Sequence, residues 1–175
     1  VSAEAWYRSA VEYVYANGLM AGVSDSAFHP DAATTRGMIV SILYRLEGSP
    51  AVSGAASFAD VPAGQWYSDA VAWAASEGIV SGYSSSRFGP SDLITREQMA
   101  SILYRYAQYK GMDTAARAEL SAYADAPSVS AWAQTAMQWA VGAELISGTG
   151  QNALNPLGFA TRAEAAAVLM RFCEK

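Results

Sequence analysis

Several residue types are too scarce in this sequence to support the chemistry usually built on them. The 175 residues include one cysteine, Cys173, and one histidine, His29. An internal disulfide is therefore excluded, and so is a histidine-rich metal site. Charged residues make up 15% of the chain and the formal net charge is −5, so we expect no basic surface for nucleic acid. We predict no metal and no cofactor.

Long hydrophobic runs are also missing. No apolar stretch approaches the roughly 20 residues that a membrane-spanning helix needs, so no membrane insertion is expected. The chain begins abruptly with VSAEAWY and shows no signal peptide. We interpret it as an excised piece of a larger protein, so the missing targeting signal says nothing about where that protein resides.

What the sequence does contain is one pattern repeated three times. Trp6, Trp66 and Trp132 are separated by 60 and 66 residues. The same offsets relate further sets, namely Gly22, Gly82 and Gly148, then Pro30, Pro90 and Pro156, then Thr35, Thr95 and Thr161, and finally Arg36, Arg96 and Arg162. So many matches at one register indicate tandem repeats. We place the repeats at residues 1–48, 58–107 and 123–173, with 108–122 as a connecting segment.

Each repeat predicts two short helices and therefore an all-α fold. The first helix is expected to begin at the tryptophan and to end near a glycine such as Gly78, although the third repeat has Glu144 there and must end differently. A glycine- and serine-rich loop follows. The second helix begins after the Thr-Arg pair and carries apolar residues at helical spacing. Two short helices cannot bury such stripes alone, so three repeats should close around a pseudo-threefold axis with grooves between neighbours.

The arginine at each helix start is the feature that most needs explaining. The threonine before it and a Glu or Gln three residues later form a capping box in repeats two and three, whereas repeat one has Met38 there. A cation at this end of a helix is unfavourable by roughly 0.3–1 kcal/mol. It could bridge repeats through a salt bridge to Asp60, Asp125 or a loop carboxylate. It could equally bind a carboxylate or phosphate together with free amide groups of the helix start.

Two other repeated sets have simpler interpretations. Arg45, Arg105 and Arg171 lie at the C-terminal ends of helices, where the helix dipole favours a cation, so we interpret them as structural. Trp73 and Trp139 are expected in the core. The tryptophans that open the first helices could instead stack against a sugar ring beside a groove.

Residues 58–107 contain the motifs FADV, WY, GIVSGY, RFGP and ITRE, in that order. With these motifs the segment resembles the S-layer homology repeat. The first repeat matches from Trp6 through Leu46, and the third keeps YAD, Trp132, Gly148, Pro156 and TRAE. The resemblance covers nearly the whole chain, and three tandem copies are the usual arrangement of this family.

The resemblance implies three helical repeats packed as a pseudo-trimer around a central helical bundle. It also implies non-covalent anchoring of an exported bacterial protein to a pyruvylated secondary cell-wall polysaccharide, with no enzymatic activity in the segment itself. The molecule would be a monomer at the cell wall or cell surface. The alternative is a protein-interaction or self-assembly module in which the arginines only join repeats.

The resemblance implies a binding role for particular residues in the grooves between repeats. They are Arg36, Arg96 and Arg162, the tryptophans Trp6, Trp66 and Trp132, the loop glycines Gly22, Gly82 and Gly148, and Tyr83. Thr149 replaces the equivalent of Tyr83 in the third repeat. We therefore expect unequal grooves, with the second repeat contributing to the best one.

Overall fold

Six α-helices account for most of the regular structure in the computed structural model, which describes residues 2, 4–24 and 26–175. They are α1 (Arg8–Ala16), α2 (Arg36–Leu46), α3 (Ser68–Ser76), α4 (Arg96–Tyr109), α5 (Gln134–Gly142) and α6 (Arg162–Cys173). Three short 3-10 helices, Leu120–Ala122, Ala126–Ser128 and Ala131–Ala133, precede α5. No strand lies within the described ranges, where residues pair only in isolated β-bridges. The prediction of an all-α fold is confirmed.

The first helices begin slightly later than expected. Trp6 and Trp66 each lie two residues before the helix, in a turn, and Trp132 lies in the 3-10 helix before α5. The prediction that the first helix of the third repeat ends differently is also wrong. Gly18 and Gly78 follow α1 and α3 with positive φ, and Glu144 adopts the same left-handed conformation after α5, at φ 58°. The third repeat thus ends its helix as the others do, at a steric cost that glycine avoids.

The apolar stripes of the second helices form the core. Met99, Leu103 and Tyr106 of α4 are at most 2% exposed, and the matching residues of α2 and α6 are buried apart from the half-buried Leu46. The main contacts join helices of different repeats. α3 packs on α2, α5 on α4, and α1 on α6. Each first helix therefore covers the second helix of the preceding repeat, and the first repeat covers the third.

A ring of backbone hydrogen bonds closes this arrangement. Thr34 N–H donates to the Ala160 carbonyl, Ala160 N–H to Ile94, and Ile94 N–H to Thr34, each at 2.9 Å. These three residues share one position of the repeat. A closed ring of equivalent bonds favours the predicted pseudo-threefold arrangement and places the start of each second helix against a neighbouring repeat.

Candidate functional site

Each of the three second helices starts with a threonine cap. The Oγ1 atoms of Thr35, Thr95 and Thr161 accept hydrogen bonds from backbone N–H groups three residues later, at 3.2–3.3 Å. The side chains of Gln98 and Glu164 accept in return from the N–H groups of Thr95 and Thr161. Both predicted capping boxes are thus formed, and the first repeat keeps the threonine half alone.

The amide donors at these helix starts are not available to a ligand. Arg36 N–H donates to the Asp92 carbonyl at 3.0 Å, and Gly37 N–H donates to the Pro90 carbonyl at 2.9 Å. The same two bonds recur at the starts of α4 and α6, with carbonyls of the neighbouring repeat as acceptors. The expectation of free amide groups for a carboxylate is therefore wrong, because the next loop already satisfies them.

The arginine side chains of the Thr-Arg pairs bind the same neighbouring loops. Arg36 donates from Nε to the Phe88 carbonyl at 3.0 Å and from Nη2 to the Ser81 carbonyl at 3.1 Å. Arg96 makes the equivalent bonds to Leu154 and Ser147, and Arg162 makes them to Phe28 and Ala21. All three are at most 8% exposed. They join repeats, as one of the two interpretations required. All three do so through backbone carbonyl groups and not through Asp60 or Asp125, and Arg96 also pairs with the carboxylate of Glu164 in the third repeat.

Asp60 and Asp125 hold these loops from the other side. Asp60 accepts hydrogen bonds from Phe88 N–H at 2.9 Å and Gly89 N–H at 2.7 Å, and Asp125 accepts from Leu154 and Asn155 in the same way. Burial alone would raise the pKa of each carboxyl group, but the backbone hydrogen bonds outweigh it and leave both pKa values below the usual range. The backbone of Phe88 thus donates to a carboxylate through its N–H and accepts from a guanidinium through its carbonyl.

The three buried guanidinium groups differ in what surrounds the positive charge. Arg36 lies between the rings of Tyr83 and Phe88, 4.5 and 4.6 Å from their centroids. Arg96 instead forms an ion pair with Glu164, from Nη1 to Oε1 at 2.7 Å. Burial lowers the pKa of both arginines, and Tyr83 and Asp92 oppose that shift for Arg36 as Glu164 does for Arg96. Both groups stay charged at neutral pH.

Arg162 has the simplest surroundings of the three. Its guanidinium lies 4.5 Å from the centroid of the Phe28 ring, and burial lowers its pKa. Val23 and Met38 stand at the positions of Tyr83 and Gln98, so fewer polar groups surround it.

Trp66 lies close to the start of α2, because a Cβ atom at Gly37 would lie 3.4 Å from its ring.

Two of the predicted grooves are open cavities. Groove A has a volume of about 360 Å³ and lies between Arg36, the loop at Gly82, one side of α4 and Trp132. Groove B has a volume of about 290 Å³ and lies between Arg96, the loop at Gly148, one side of α6 and Trp6. Every residue lining groove A has its repeat-equivalent in groove B, and each groove draws on all three repeats.

The predicted aromatic residues lie where a ligand could reach them. Trp132 is 59% exposed and Trp6 is 65% exposed, each at the rim of its groove. Trp66 is 63% exposed beside α2. Tyr83 lines groove A, where its hydroxyl accepts a hydrogen bond from Gln98 at 3.4 Å. The structure thus brings Arg36, Gly82, Tyr83 and Trp132 together in groove A, and Arg96, Gly148 and Trp6 in groove B.

Gly22, Gly82 and Gly148 serve the loop itself. A Cβ at Gly22 or Gly82 would collide with carbonyl oxygens of the same loop, and one at Gly148 would meet a carbonyl and the Tyr123 ring. A residue with a side chain would therefore push the loop out of shape. Gly82 and Gly148 still line the two grooves, where the missing side chain leaves room.

Two arginines that the sequence led us to interpret as structural also line the grooves. Arg105 lines groove A and Arg171 lines groove B. Arg105 is exposed, and Nη1 donates to Ser81 Oγ at 3.2 Å. Arg171 Nη1 donates to the Leu145 carbonyl at 3.0 Å. Their shared position in the repeat was visible in the sequence, but the facing loop was not.

Other site types find little support in the part of the chain that the structure describes. It shows no cluster of three or more His, Cys, Asp or Glu residues placed to hold a metal ion. None of its helices is both long enough and apolar enough to cross a membrane.

Comparison with known proteins agrees with the repeat pattern. The model of the S-layer homology domain matches residues 1–37, 57–100 and 122–166. An amylopullulanase of Thermoanaerobacterium thermosulfurigenes is 30% identical over 97% of this chain and 9% of its own length. An exoglucanase of Acetivibrio thermocellus is 30% identical over 97% of this chain and 16% of its own length.

A surface-layer protein is similar to the same extent. The surface-layer 125 kDa protein of Lysinibacillus sphaericus is 31% identical over 95% of this chain and 14% of its own length. The chain thus spans less than a fifth of each of these three relatives. It belongs to the S-layer homology domain family, whose members are wall-anchoring modules at the bacterial cell surface.

Proposed function

We propose that this chain anchors a longer exported protein by binding an acidic secondary cell-wall polysaccharide in groove A. The acidic group is a carboxylate, as in a pyruvate ketal on the terminal sugar. The observation that carries this proposal is the content of groove A, where two guanidinium groups lie beside an exposed indole and no lining residue is acidic. We propose the repeat boundaries 1–48, 58–107 and 123–173, joined by 108–122, as one monomeric module.

The electrostatics of groove A support an anionic ligand. Arg36 uses Nε and Nη2 for carbonyl groups, and among the described residues no hydrogen bond involves its Nη1. Arg105 is exposed and donates to one neutral hydroxyl. A hydrogen bond between charged groups contributes about 1.5–3 kcal/mol, so a carboxylate placed between these two cations would be held firmly.

Arg36 joins two repeats, so we do not propose it as the principal contact to the ligand. Because Arg36 is committed to the loop, it supplies a fixed positive charge in the wall of the groove. Arg105 is free to turn toward the ligand and becomes the principal contact. Arg96 and Arg162 keep the bridging role, and they bind ligand more weakly or not at all.

The aromatic residues support a sugar as the group that carries the carboxylate. An indole offers a flat apolar face on which the C–H groups of a pyranose ring can pack. Trp132 and Tyr83 both line groove A, and Tyr83 belongs to the loop at Gly82. An acidic sugar could therefore pack its ring on Trp132 while its carboxylate reaches Arg105.

The alternative is a module for protein interaction or self-assembly. The three bridging arginines favour this alternative, because their hydrogen bonds to loop carbonyls explain them without a ligand. They leave the exposed Arg105 and Trp132 unexplained. The S-layer homology domain is a non-catalytic anchoring module, and we propose no reaction in this segment.

Binding to purified wall polymer tests the proposal. The wild type should bind the pyruvylated polymer and should bind the same polymer without its ketal much more weakly. Arg105→Gln should weaken binding, whereas the matched control Arg45→Gln, at the same position in the first repeat, should not. Equal binding to the stripped polymer would refute the carboxylate. Self-association without polymer binding would support the alternative.

A further inference from the structure

Glu97 is a buried carboxylate that the other two repeats lack. It is 2% exposed, and the matching residues are Gly37 and Ala163. Its Oε1 accepts a hydrogen bond from the Ser130 hydroxyl at 2.7 Å, and its Oε2 accepts one from Ser130 N–H at 2.9 Å. Among the described residues it forms no ion pair within 4.0 Å. A carboxylate buried without a cation costs stability, so its hydrogen bonds to Ser130 must offset part of that cost.

Ser130 is the residue that begins the turn carrying Trp132. Its carbonyl accepts a hydrogen bond from Ala133 N–H at 2.8 Å, which closes the 3-10 turn Ala131–Ala133. Trp132 lies within this turn and forms one wall of groove A. The two hydrogen bonds from Ser130 therefore attach the tryptophan turn directly to the first turn of α4.

The backbone adds a second attachment at the same place. Glu97 N–H donates to the Pro156 carbonyl at 3.0 Å, so one residue of α4 binds two separate segments of the third repeat. At the positions of Ser130, the other repeats have Glu4 and Gly64, which face Ala163 and Gly37 by repeat order. Neither alanine nor glycine can supply the carboxylate. The backbone bond recurs at Gly37 and Ala163, so within the described ranges only the attachment through the Glu97 carboxylate is specific to groove A.

We propose that Glu97 is a positioning residue that fixes Trp132 as a preformed wall of groove A for the sugar ring of an acidic glycan. This inference rests on the proposed function. Both donors of Ser130 are satisfied by one buried carboxylate, so the turn has little freedom to move away from α4. A wall that is already in place spares the complex the cost of ordering it on binding.

The test uses a disaccharide that carries the ketal and a set of four substitutions. Glu97→Ala and Ser130→Ala remove the two halves of the attachment, Trp132→Ala removes the wall, and Glu97→Gln keeps one acceptor for Ser130 N–H. Glu119→Ala removes an exposed acid of the connecting segment and serves as the control. Dissociation constants are measured by calorimetry well below each melting temperature.

We expect Glu97→Ala to weaken binding by about threefold to tenfold, the range for ordering one large side chain. Ser130→Ala should weaken it by a similar or smaller factor, Glu97→Gln should recover part of the affinity, and Glu119→Ala should leave it unchanged. Quenching of tryptophan fluorescence by acrylamide should increase in Glu97→Ala, and that increase should vanish in Glu97→Ala/Trp132→Ala. In the Trp132→Ala background, Glu97→Ala should have no further effect on affinity.

The double substitution separates positioning from general support of the fold. If Glu97→Ala weakens binding by the same factor with and without Trp132, the inference is wrong, whatever happens to the melting temperature. If Glu97→Ala and Glu97→Gln both fold and both bind like the wild type, it is also wrong. If the wild type binds and Arg105→Gln weakens binding while Trp132→Ala does not, the proposed function stands and this inference fails. No binding by the wild type would overturn the proposed function itself.

Discussion

Grooves A and B are built from equivalent residues, yet they present different charges to a ligand. Gln98 stands in groove A where Glu164 stands in groove B, and Glu164 pairs with Arg96 at 2.7 Å. Groove A therefore has Arg36 and Arg105 without a lining acid, whereas groove B already contains a carboxylate beside its buried arginine. The same fold thus carries one groove whose buried arginine is paired with a carboxylate of the protein and another whose arginines have no acidic partner in the groove.

What the two grooves share is the attachment of loop to helix. In each, a buried arginine donates to two carbonyls of the next loop, and an aspartate accepts from two N–H groups of that loop. This framework is the same whether or not the groove is neutralised. The arginine at the helix start is therefore explained by packing, and selectivity depends on the residues around it.

The largest expected effect comes from removing the buried arginines themselves. Arg36→Ala and Arg96→Ala each leave two loop carbonyls without their donor, at about 1–3 kcal/mol per group. Both variants should therefore lose about 2–6 kcal/mol of unfolding free energy, measured by urea denaturation. The exposed Arg117→Ala serves as the control. An unchanged stability in Arg36→Ala would show that its hydrogen bonds do not join the repeats.

Exchanging Gln98 and Glu164, which give the two grooves different charges, should change the affinity of each groove for an acidic ligand. Gln98→Glu places a carboxylate beside Arg36, and we expect ligand affinity to fall by tenfold or more, as for a competing charged hydrogen bond. Glu164→Gln removes the carboxylate from Arg96 and should open a second site. Titration calorimetry with the ketal-bearing disaccharide reports affinity and stoichiometry together.

Both substitutions keep the helix cap, which makes the exchange well controlled. Gln98 Oε1 already accepts from Thr95 N–H, as Glu164 Oε2 accepts from Thr161 N–H. The melting temperature of Gln98→Glu should therefore change little, whereas that of Glu164→Gln should fall because the buried Arg96 loses its ion pair. A Gln98→Glu variant that binds as tightly as the wild type would contradict the assignment of groove A.

A smaller difference is expected between the two outer arginines. Arg105→Gln removes the exposed cation of groove A and should lower affinity by about fivefold, corresponding to about 1 kcal/mol for an exposed charge pair. Arg171→Gln, in groove B, should have no measurable effect. Affinity of the wild type should also weaken as salt is raised, because salt screens exposed charges. Equal losses in the two variants would show that groove B binds as well.

Low pH should lower the free energy of unfolding by weakening the attachment of both groove loops. We expect this effect to be the smallest of the four predicted here. The pKa values of Asp60 and Asp125 are depressed in the folded protein, so each carboxylate stabilises the fold above its unfolded pKa near 3.9. That contribution is lost as the pH falls through the lower, folded pKa. Asp60→Asn and Asp125→Asn should make unfolding free energy less dependent on pH below about 4.

The two aspartate variants also separate the grooves. Asp60 holds the loop of groove A and Asp125 holds the loop of groove B. Near neutral pH, Asp60→Asn should weaken ligand binding slightly and Asp125→Asn should leave it unchanged. If Asp125→Asn lowers affinity more, the ligand depends on groove B.

Local patterns predicted local structure well. The position of the threonine relative to Gln98 and Glu164 defined both capping boxes, and the spacing of Met99, Leu103 and Tyr106 defined the buried face of α4. Both predictions depend only on residues that are three or four positions apart in the same helix. The conformation of Glu144 was missed because nothing in the sequence shows that a non-glycine residue must follow α5 in the left-handed region.

The sequence nominated candidate residues but not their connections. The repeat pattern and the resemblance to the S-layer homology repeat nominated Arg36, Tyr83 and Trp132, and the structure brings these three residues together in groove A. Which carbonyls Arg36 would bind depends on how the next repeat docks, and no pattern within one repeat contains that information. The same holds for Arg105, which faces the loop of groove A, and for Glu97, which reaches Ser130 across the repeat boundary.

A crystal structure of the chain with the ketal-bearing terminal disaccharide would show the binding mode itself. We expect sugar in groove A, with its carboxylate within hydrogen-bond distance of Arg105 and its ring against Trp132, while the hydrogen bonds of Arg36 to Ser81 and Phe88 stay intact. Sugar bound in groove B alone, or a carboxylate bound by Arg36 after release of the loop carbonyls, would contradict this expectation.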